Sequence, residues 1–437
     1  MRRGRHTIIS DSGSIAHNPC SLAYGTAVRL TGDWTASQGS GQSHELQVSS
    51  VEVLGANDAE NNPHQPKHQT SEYLRTIPHL RSRTANNALL LRLRSQLIAS
   101  ITNFFNQEGF VQTHTPIITS SDCEGAGEVF TVASNASSKT EDNEQFFRTP
   151  KYLTVSAQLH LEALAQAVSK VWTLSPTFRA EQSDTPRHLS EFYMLEAEMC
   201  FTDDLTDVMD LVENMLRSAA TQLESSQVFQ ELLTIRHSAS KHITEVDDNL
   251  VTAEIIKNRW DGMLAEEWPR ITYAEAISRL EQALSDGVEF SFQPSYAGGL
   301  QAEHERYLAT TIGNGKPLFV TDYPKSQKPF YMPPSKLQSN DSAAQETVAC
   351  FDLLVPDLCE LVGGSLREHR LDELQTAMRE KYVSGENLQW YQDLRRYGSV
   401  PHGGFGLGFD RLLCYFAGVS SVKDAVAFPR WYGRCDC

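Results

Sequence analysis

No apolar run in the 437 residues approaches the roughly 18 that a membrane-crossing helix requires. The eight cysteines, Cys20, Cys123, Cys200, Cys350, Cys359, Cys414, Cys435 and Cys437, never fall into the paired CxxC spacing of a zinc site. A chain of this length needs no disulfide staples, so they read as reduced thiols. The motif GxxxxGK[ST] is missing, as is GxGxxG after a parallel strand, which removes the P-loop and the dinucleotide-binding turn. Bulk positive charge is missing too. A net charge of -17 argues against a protein that coats nucleic acid by attraction alone. Arg75, Arg81, Arg83, Arg92 and Arg94 are a local exception, readable as a basic patch or equally as a solvated helix face. What remains, 40% hydrophobic and 21% charged residues, is a globular chain long enough for two or three domains.

Residues 1–24 show no periodicity and form an irregular leader. Two β-like runs follow, Thr26–Thr35 and His44–Leu54, joined by the turn sequence SQGSGQ. Two strands do not make a stable domain, so residues 25–57 look like a fragment of a small barrel. Residues 58–86 read as a linker. Leu90, Leu93, Leu97, Ile101, Phe104 and Phe105 then recur at helical spacing, with Gly109 where a left-handed cap belongs. Phe110–Thr119 is expected as a strand that Pro116 confines to an edge or interface. Residues 203–315 are expected to be mostly helical, an insertion without a defensible chemical motif. Further strands are expected at Pro317–Asp322 and Thr347–Val355, and helices at Ser365–Lys381 and Glu386–Tyr397.

Two stretches carry chemistry. Phe178–Cys200, FRAEQSDTPRHLSEFYMLEAEMC, reads as a hairpin with a turn at Gln182–Ser190. Alternate strand residues share a face. Arg179 and Glu181 therefore project together, as do Phe192, Met194, Glu196 and Glu198, and the turn adds Arg187 and His188. Near the end, Gly404, Gly406 and Gly408 alternate before Arg411. A strand so built has one face bare of side chains, against which a flat ligand or a triphosphate can lie.

Together these resemble class II aminoacyl-tRNA synthetases: FRAE…RHLSEF is similar to their motif 2, GFGLGFDR to motif 3, and the helix with the Pro116 strand to the dimerisation motif. SDCEGAGEVF, TVSAQLHLE, MLEAE and ELVGGSLREHR resemble the asparaginyl branch in its bacterial and organellar form. The resemblance covers about residues 25–430 and implies an α+β fold. Its catalytic domain, residues 87–437, would be a six-stranded antiparallel sheet flanked by helices, behind a truncated N-terminal OB-fold β-barrel that in the family reads the anticodon.

The resemblance also implies roles. Arg179 matches the arginine bridging the ATP α-phosphate and the amino acid carboxylate, and Glu181 the acid beside adenine. Arg187 and His188 match residues near the terminal phosphates. Phe192 and Arg411 match the pair that sandwiches adenine over the glycine strand ending at Gly408. Asp352 and Glu360 match acids that hold Mg²⁺ against ATP. Glu124 and Gln158 match groups on the substrate ammonium. Arg367 would donate to the side-chain carbonyl, and Glu196, an Asp in aspartyl enzymes, would accept from the amide and repel a carboxylate. No covalent nucleophile is asked for, so Ser156, Ser365 and Cys123 are expected to be structural. Departures are Asp410 for a usual Glu, Leu366 for Gln and Ala197 for Pro. The larger departure is the barrel, of which only the latter strands are recognisable.

The expected activity is ATP-dependent charging of tRNA(Asn) with asparagine by a homodimer joined through residues 88–119. An aspartyl enzyme, a related amidating enzyme and a non-catalytic binding module are the alternatives. The basic start, MRRGRHTIIS, points to a mitochondrial matrix protein if the source is eukaryotic, otherwise a cytoplasmic one.

Overall fold

The computed structural model describes residues 22–39, 43–65, 67, 69–120, 129–134, 146–242, 251–336, 346–383, 385 and 387–437. The chain divides into two compact units, 1–85 and 86–437. In the first, β1 (Ala27–Ala36) and β2 (His44–Gly55) pair antiparallel. Neither strand has a fully buried residue, and Trp34 stacks on His44 in the open, centroids 5.9 Å apart.

From Asn86 on, the helix Ala85–Gln107 belongs to the second unit, and its Leu90, Leu93, Leu97, Ile101, Phe104 and Phe105 are all buried. Gly109 takes φ +74°, the left-handed backbone that ends it. The strand expected over Phe110–Thr119 is instead two short pieces, β3 (Val111–Gln112) and β4 (Ile118–Thr119). Pro116 lies between them and has no amide to give a ladder. β4 pairs with β5 (Tyr152–Leu153), and the helix Gln158–Val168 follows. The remaining strands are β6 (Lys170–Phe178), β7 (Glu191–Cys200), β8 (Arg270–Thr272), β9 (Leu318–Thr321), β10 (Cys350–Val355), β11 (Cys359–Arg367) and β12 (His402–Gly408).

These build one sheet in the order β3-β6-β7-β12-β11-β10-β9-β8. The six central strands are antiparallel throughout, as the resemblance implies. Two short edge strands, β3 and β8, pair parallel and bring the total to eight. β11 runs on to Arg367, so the expected helix from Ser365 starts only at Leu371. Ser365, Leu366 and Arg367 are taken up in the ladder opposite Gly404, Gly403 and His402.

The period of two divides the sheet chemically. Trp172, Leu195, Ala197, Phe405, Leu407, Leu366, Val362, Phe351 and Leu353 face a single core, where Trp172 stacks on Phe105 with centroids 4.7 Å apart. Val208, Val212, Met215 and Leu216 of the helix Leu205–Glu224 join it, as do Trp260 of Ala253–Leu264 and Leu412 and Phe416 of Phe409–Ala417. The helical stretch 203–315 thus supplies part of the main core. The opposite face carries Glu196, Gly406, Gly363 and Asp352 in one register row, and Glu198, Gly404 and Ser365 in the next.

Candidate active site

β6 stops at Phe178, so Arg179 and Glu181 sit on the connection rather than on a strand. The ladder extends one bond further, from the Arg179 amide to the Ser190 carbonyl, 3.0 Å. Arg179 nevertheless reaches the predicted surface: its guanidinium carbon lies 5.6 Å from the centroid of the Phe192 ring. One open cleft is lined by Arg179, Glu181, Arg187, His188, Phe192, Met194, Glu360, Gly406, Gly408 and Arg411.

Within it, His188 Nε2 lies 3.3 Å from the Glu181 carboxylate, while Nδ1 is within hydrogen-bond distance of the Ser183 hydroxyl at 3.1 Å and the Thr185 hydroxyl at 2.5 Å. Burial lowers the His188 pKa. Glu181 opposes that, and Arg411, Arg187 and Lys423 add to it. Arg411 stands in the first turn of Phe409–Ala417 and donates Nη1 to the Glu360 carbonyl at 3.0 Å. Beside it Asp410 ion-pairs with Arg94 and accepts the Tyr193 amide at 2.8 Å. This shortened acid joins three elements: the helix Ala85–Gln107, β7 and the helix Phe409–Ala417.

The glycine strand is bare only in part. A side-chain carbon at Gly406 or Gly408 would meet only ordinary contacts, Met194 Sδ at 3.4 Å and Arg411 Cδ at 3.5 Å. At Gly404 it would collide with the Ala197 carbonyl of β7 and with the Glu198 carboxylate, which already fill that space.

Deeper on the same face is a second, closed polar layer. Glu196, 3% exposed, accepts Ser156 Oγ at 2.5 Å and the Ala157 amide at 2.9 and 3.0 Å. Arg367 donates Nε and Nη2 to Glu198 at 3.1–3.3 Å, and Nη1 to Ser365 Oγ at 2.6 Å. Burial pushes the Glu198 carboxyl up and Arg367 pulls it back. With both oxygens bonded to the guanidinium, the ionised pair is the bonded one. Ser156 and Ser365, expected to be merely structural, are the groups that orient these two side chains. No sequence signal singled them out. Gln158 opens the helix after Ala157 and is half-buried. Glu124 lies outside the described residues.

The family described as tRNA synthetases class II (D, K and N) matches residues 70–432. The chain belongs to the class II tRNA synthetases. Among its relatives in this family is the mitochondrial asparagine–tRNA ligase of Saccharomyces cerevisiae, 44% identical over 91% of this chain and 80% of its own length. The asparagine–tRNA ligase of a Nostoc species is 44% identical over 94% of this chain and 84% of its own. Among solved structures, asparaginyl-tRNA synthetase from Pyrococcus horikoshii complexed with asparaginyl-adenylate superposes with a TM-score of 0.77 at 30% identity, covering 95% of this chain and 85% of that one.

The fit of this synthetase to a divalent cation rests on β10 and β11. Asp352 and Glu360 flank Gly363: a side-chain carbon there would lie 3.5 Å from Asp352 Oδ1 and 3.2 Å from Glu360 Oε1. Two hard oxygen donors with phosphate to complete the shell is what Mg²⁺ takes. Among the described residues, no three acidic, histidine or cysteine side chains form a closed metal cage. Lys328 holds Asp352, with Nζ 2.9 and 2.7 Å from its oxygens. Burial and Asp352 raise the Glu360 pKa, against Lys328, Arg411 and Arg179. A third acid was not anticipated. Glu305 of the helix Ala302–Thr311 is pushed up to about 7 by burial and by Glu360 and Asp352. In sequence it is one acid among many in an acidic helical stretch.

Proposed function

We propose that this chain is an asparagine–tRNA ligase, which activates asparagine with ATP to the adenylate and transfers it to tRNA(Asn). One observation carries the reading: a single sheet face joins the cationic, aromatic-edged cleft at Arg179, Phe192 and Arg411 to the closed layer at Glu196 and Arg367. The kinship with asparagine–tRNA ligases and with the asparaginyl-adenylate complex supports it.

In this reading, adenine lies between Phe192 and Arg411 over Gly406 and Gly408, with Glu181 at its edge and Arg187 and His188 toward the terminal phosphates. The asparagine carboxylate attacks the α-phosphorus, the bond to pyrophosphate breaks, and Arg179 balances the charge that builds there. Asp352 and Glu360 would hold Mg²⁺, which when bound neutralises phosphate charge. Arg367 is held by Glu198 and Ser365 and offers its remaining N–H groups to the side-chain carbonyl. Glu196, an acceptor fixed by Ser156 and Ala157, takes the amide N–H and repels a carboxylate. Gln158 and Glu124 receive the ammonium. A substrate aspartate would set two carboxylates face to face in a buried site, a far larger penalty than any difference in shape.

Exposed Leu91, Val111, Ile117 and Ile118 support a homodimer contact through residues 88–119, which sedimentation tests. The Trp34–His44 stack on the N-terminal ribbon supports a surface for tRNA bases. Mitochondrial relatives in two yeasts support a mitochondrial destination. The deciding experiment is ATP–pyrophosphate exchange with each amino acid. Stimulation by asparagine and not aspartate is expected, and the reverse would make this an aspartyl enzyme.

A further inference from the structure

Beneath the closed layer lies a group to which neither the resemblance nor the reaction assigns a task. Glu162 has no exposed side-chain surface. Arg395 Nη2 donates to it at 2.6 Å, Tyr391 Oη at 2.8 and 2.9 Å, and His402 Nε2 lies at 3.1 Å. Burial works against its charge, but Arg395 and His402 outweigh it and hold the carboxyl well below the ordinary range. Glu162 is therefore an ionised group that can only accept hydrogen bonds. One turn earlier on the same helix face, Gln158 donates Nε2 to Glu162 Oε1 at 3.1 Å.

We propose that Glu162 is the positioning residue for recognition of the substrate α-ammonium, because it fixes which end of the Gln158 amide faces the pocket. The inference rests on the reading of Gln158 given above. A free glutamine amide turns about its last torsion and can offer a donor or an acceptor. Against an acceptor-only carboxylate, just one orientation makes a hydrogen bond, with the NH₂ inward and the carbonyl oxygen outward. The carbonyl is the end an ammonium needs. The flipped amide would set oxygen against the Glu162 oxygens and a donor against the substrate cation, losing twice. Arg395, Tyr391 and His402 hold the charge of Glu162 in place, so the orientation survives when the pocket is empty.

The test is a double-mutant cycle between Glu162 and Gln158, read by asparagine-dependent ATP–pyrophosphate exchange. Glu162→Asp keeps a charge for Arg395 and His402 while withdrawing from Gln158, and it replaces Glu162→Gln should the neutral variant not fold. E162D is expected to raise the KM for asparagine about tenfold, one hydrogen bond to a charged group, with the KM for ATP unchanged. Combined with Gln158→Ala it should add nothing beyond Q158A alone. Succinamic acid, which is asparagine without its amino group, should inhibit wild type and E162D equally. If Q158A leaves the KM for asparagine unchanged, the ammonium reading of Gln158 fails. If Q158A raises it but E162D does not, or the two effects multiply, or succinamic acid weakens in step with asparagine, Glu162 is merely structural.

Discussion

Glu198 and Arg367 face one another within the sheet, the carboxylate on β7 and the guanidinium on β11, joined by nitrogen–oxygen contacts of 3.1–3.3 Å and each no more than 4% exposed. Sequence reasoning gave Arg367 a substrate and left Glu198 without a task. The structure makes Glu198 the holder of Arg367.

Glu198→Gln should therefore destabilise the protein by about 3 kcal/mol, since it leaves a buried guanidinium partly uncompensated. Urea denaturation measures this. The same variant should raise the KM for asparagine more than that for ATP. A loss shared equally by both substrates would show that Glu198 supports the fold alone.

Glu196→Gln tests amino acid choice. It keeps a carbonyl acceptor for the amide and removes the charge that would face a carboxylate, so activation of aspartate should rise relative to asparagine. The comparison is kcat/KM for the two amino acids in pyrophosphate exchange. An unchanged ratio would remove Glu196 from the selection.

For Arg179→Lys, adenylate formation should fall about a hundredfold. A lysine keeps the charge but loses the planar fork that can bond two oxygens at once. Single-turnover ATP consumption reads the step, and a wild-type rate would place Arg179 outside it.

The pH dependence of stability should carry the mark of Glu305. Its folded pKa is about 7 against an ordinary 4.5. For an acid raised in the folded state, the stability it permits is whole below the ordinary range and is lost as pH rises through about 7. The loss should approach about 3 kcal/mol, because each tenfold change in proton affinity between the folded and unfolded chain is worth roughly 1.4 kcal/mol. Urea midpoints at pH 5 and pH 8 for wild type and Glu305→Gln give the comparison. Parallel behaviour of the two proteins would refute the assignment.

Much of this was legible in the sequence because its signals are local. Alternation placed Phe192, Glu196 and Glu198 on one face of β7, and helical spacing placed Leu90 through Phe105 in the core. What was not legible depends on partners far along the chain. Ser156 meets Glu196 across 40 residues, Arg94 meets Asp410 across 316, and Glu162 meets Arg395 across 233. No local pattern marks such a serine or glutamate. The extent of β11 was misjudged for the same reason. Ser365–Arg367 is followed by a charged helical pattern, and its strand character comes only from pairing with β12.

Gly404 has a consequence beyond its own strand. Its missing side chain is a seat already taken by the Ala197 carbonyl of β7 and the Glu198 carboxylate. A single methyl there would press on the backbone of β7 as well as on Glu198, so the strand itself must shift and Arg367 loses its fixed partner. Gly404→Ala should then disturb the pairing of β12 with β7, lowering the urea midpoint and raising the KM for asparagine together. In this chain, amino acid recognition is vulnerable to the smallest possible change on a neighbouring strand, at a residue that contributes no functional group.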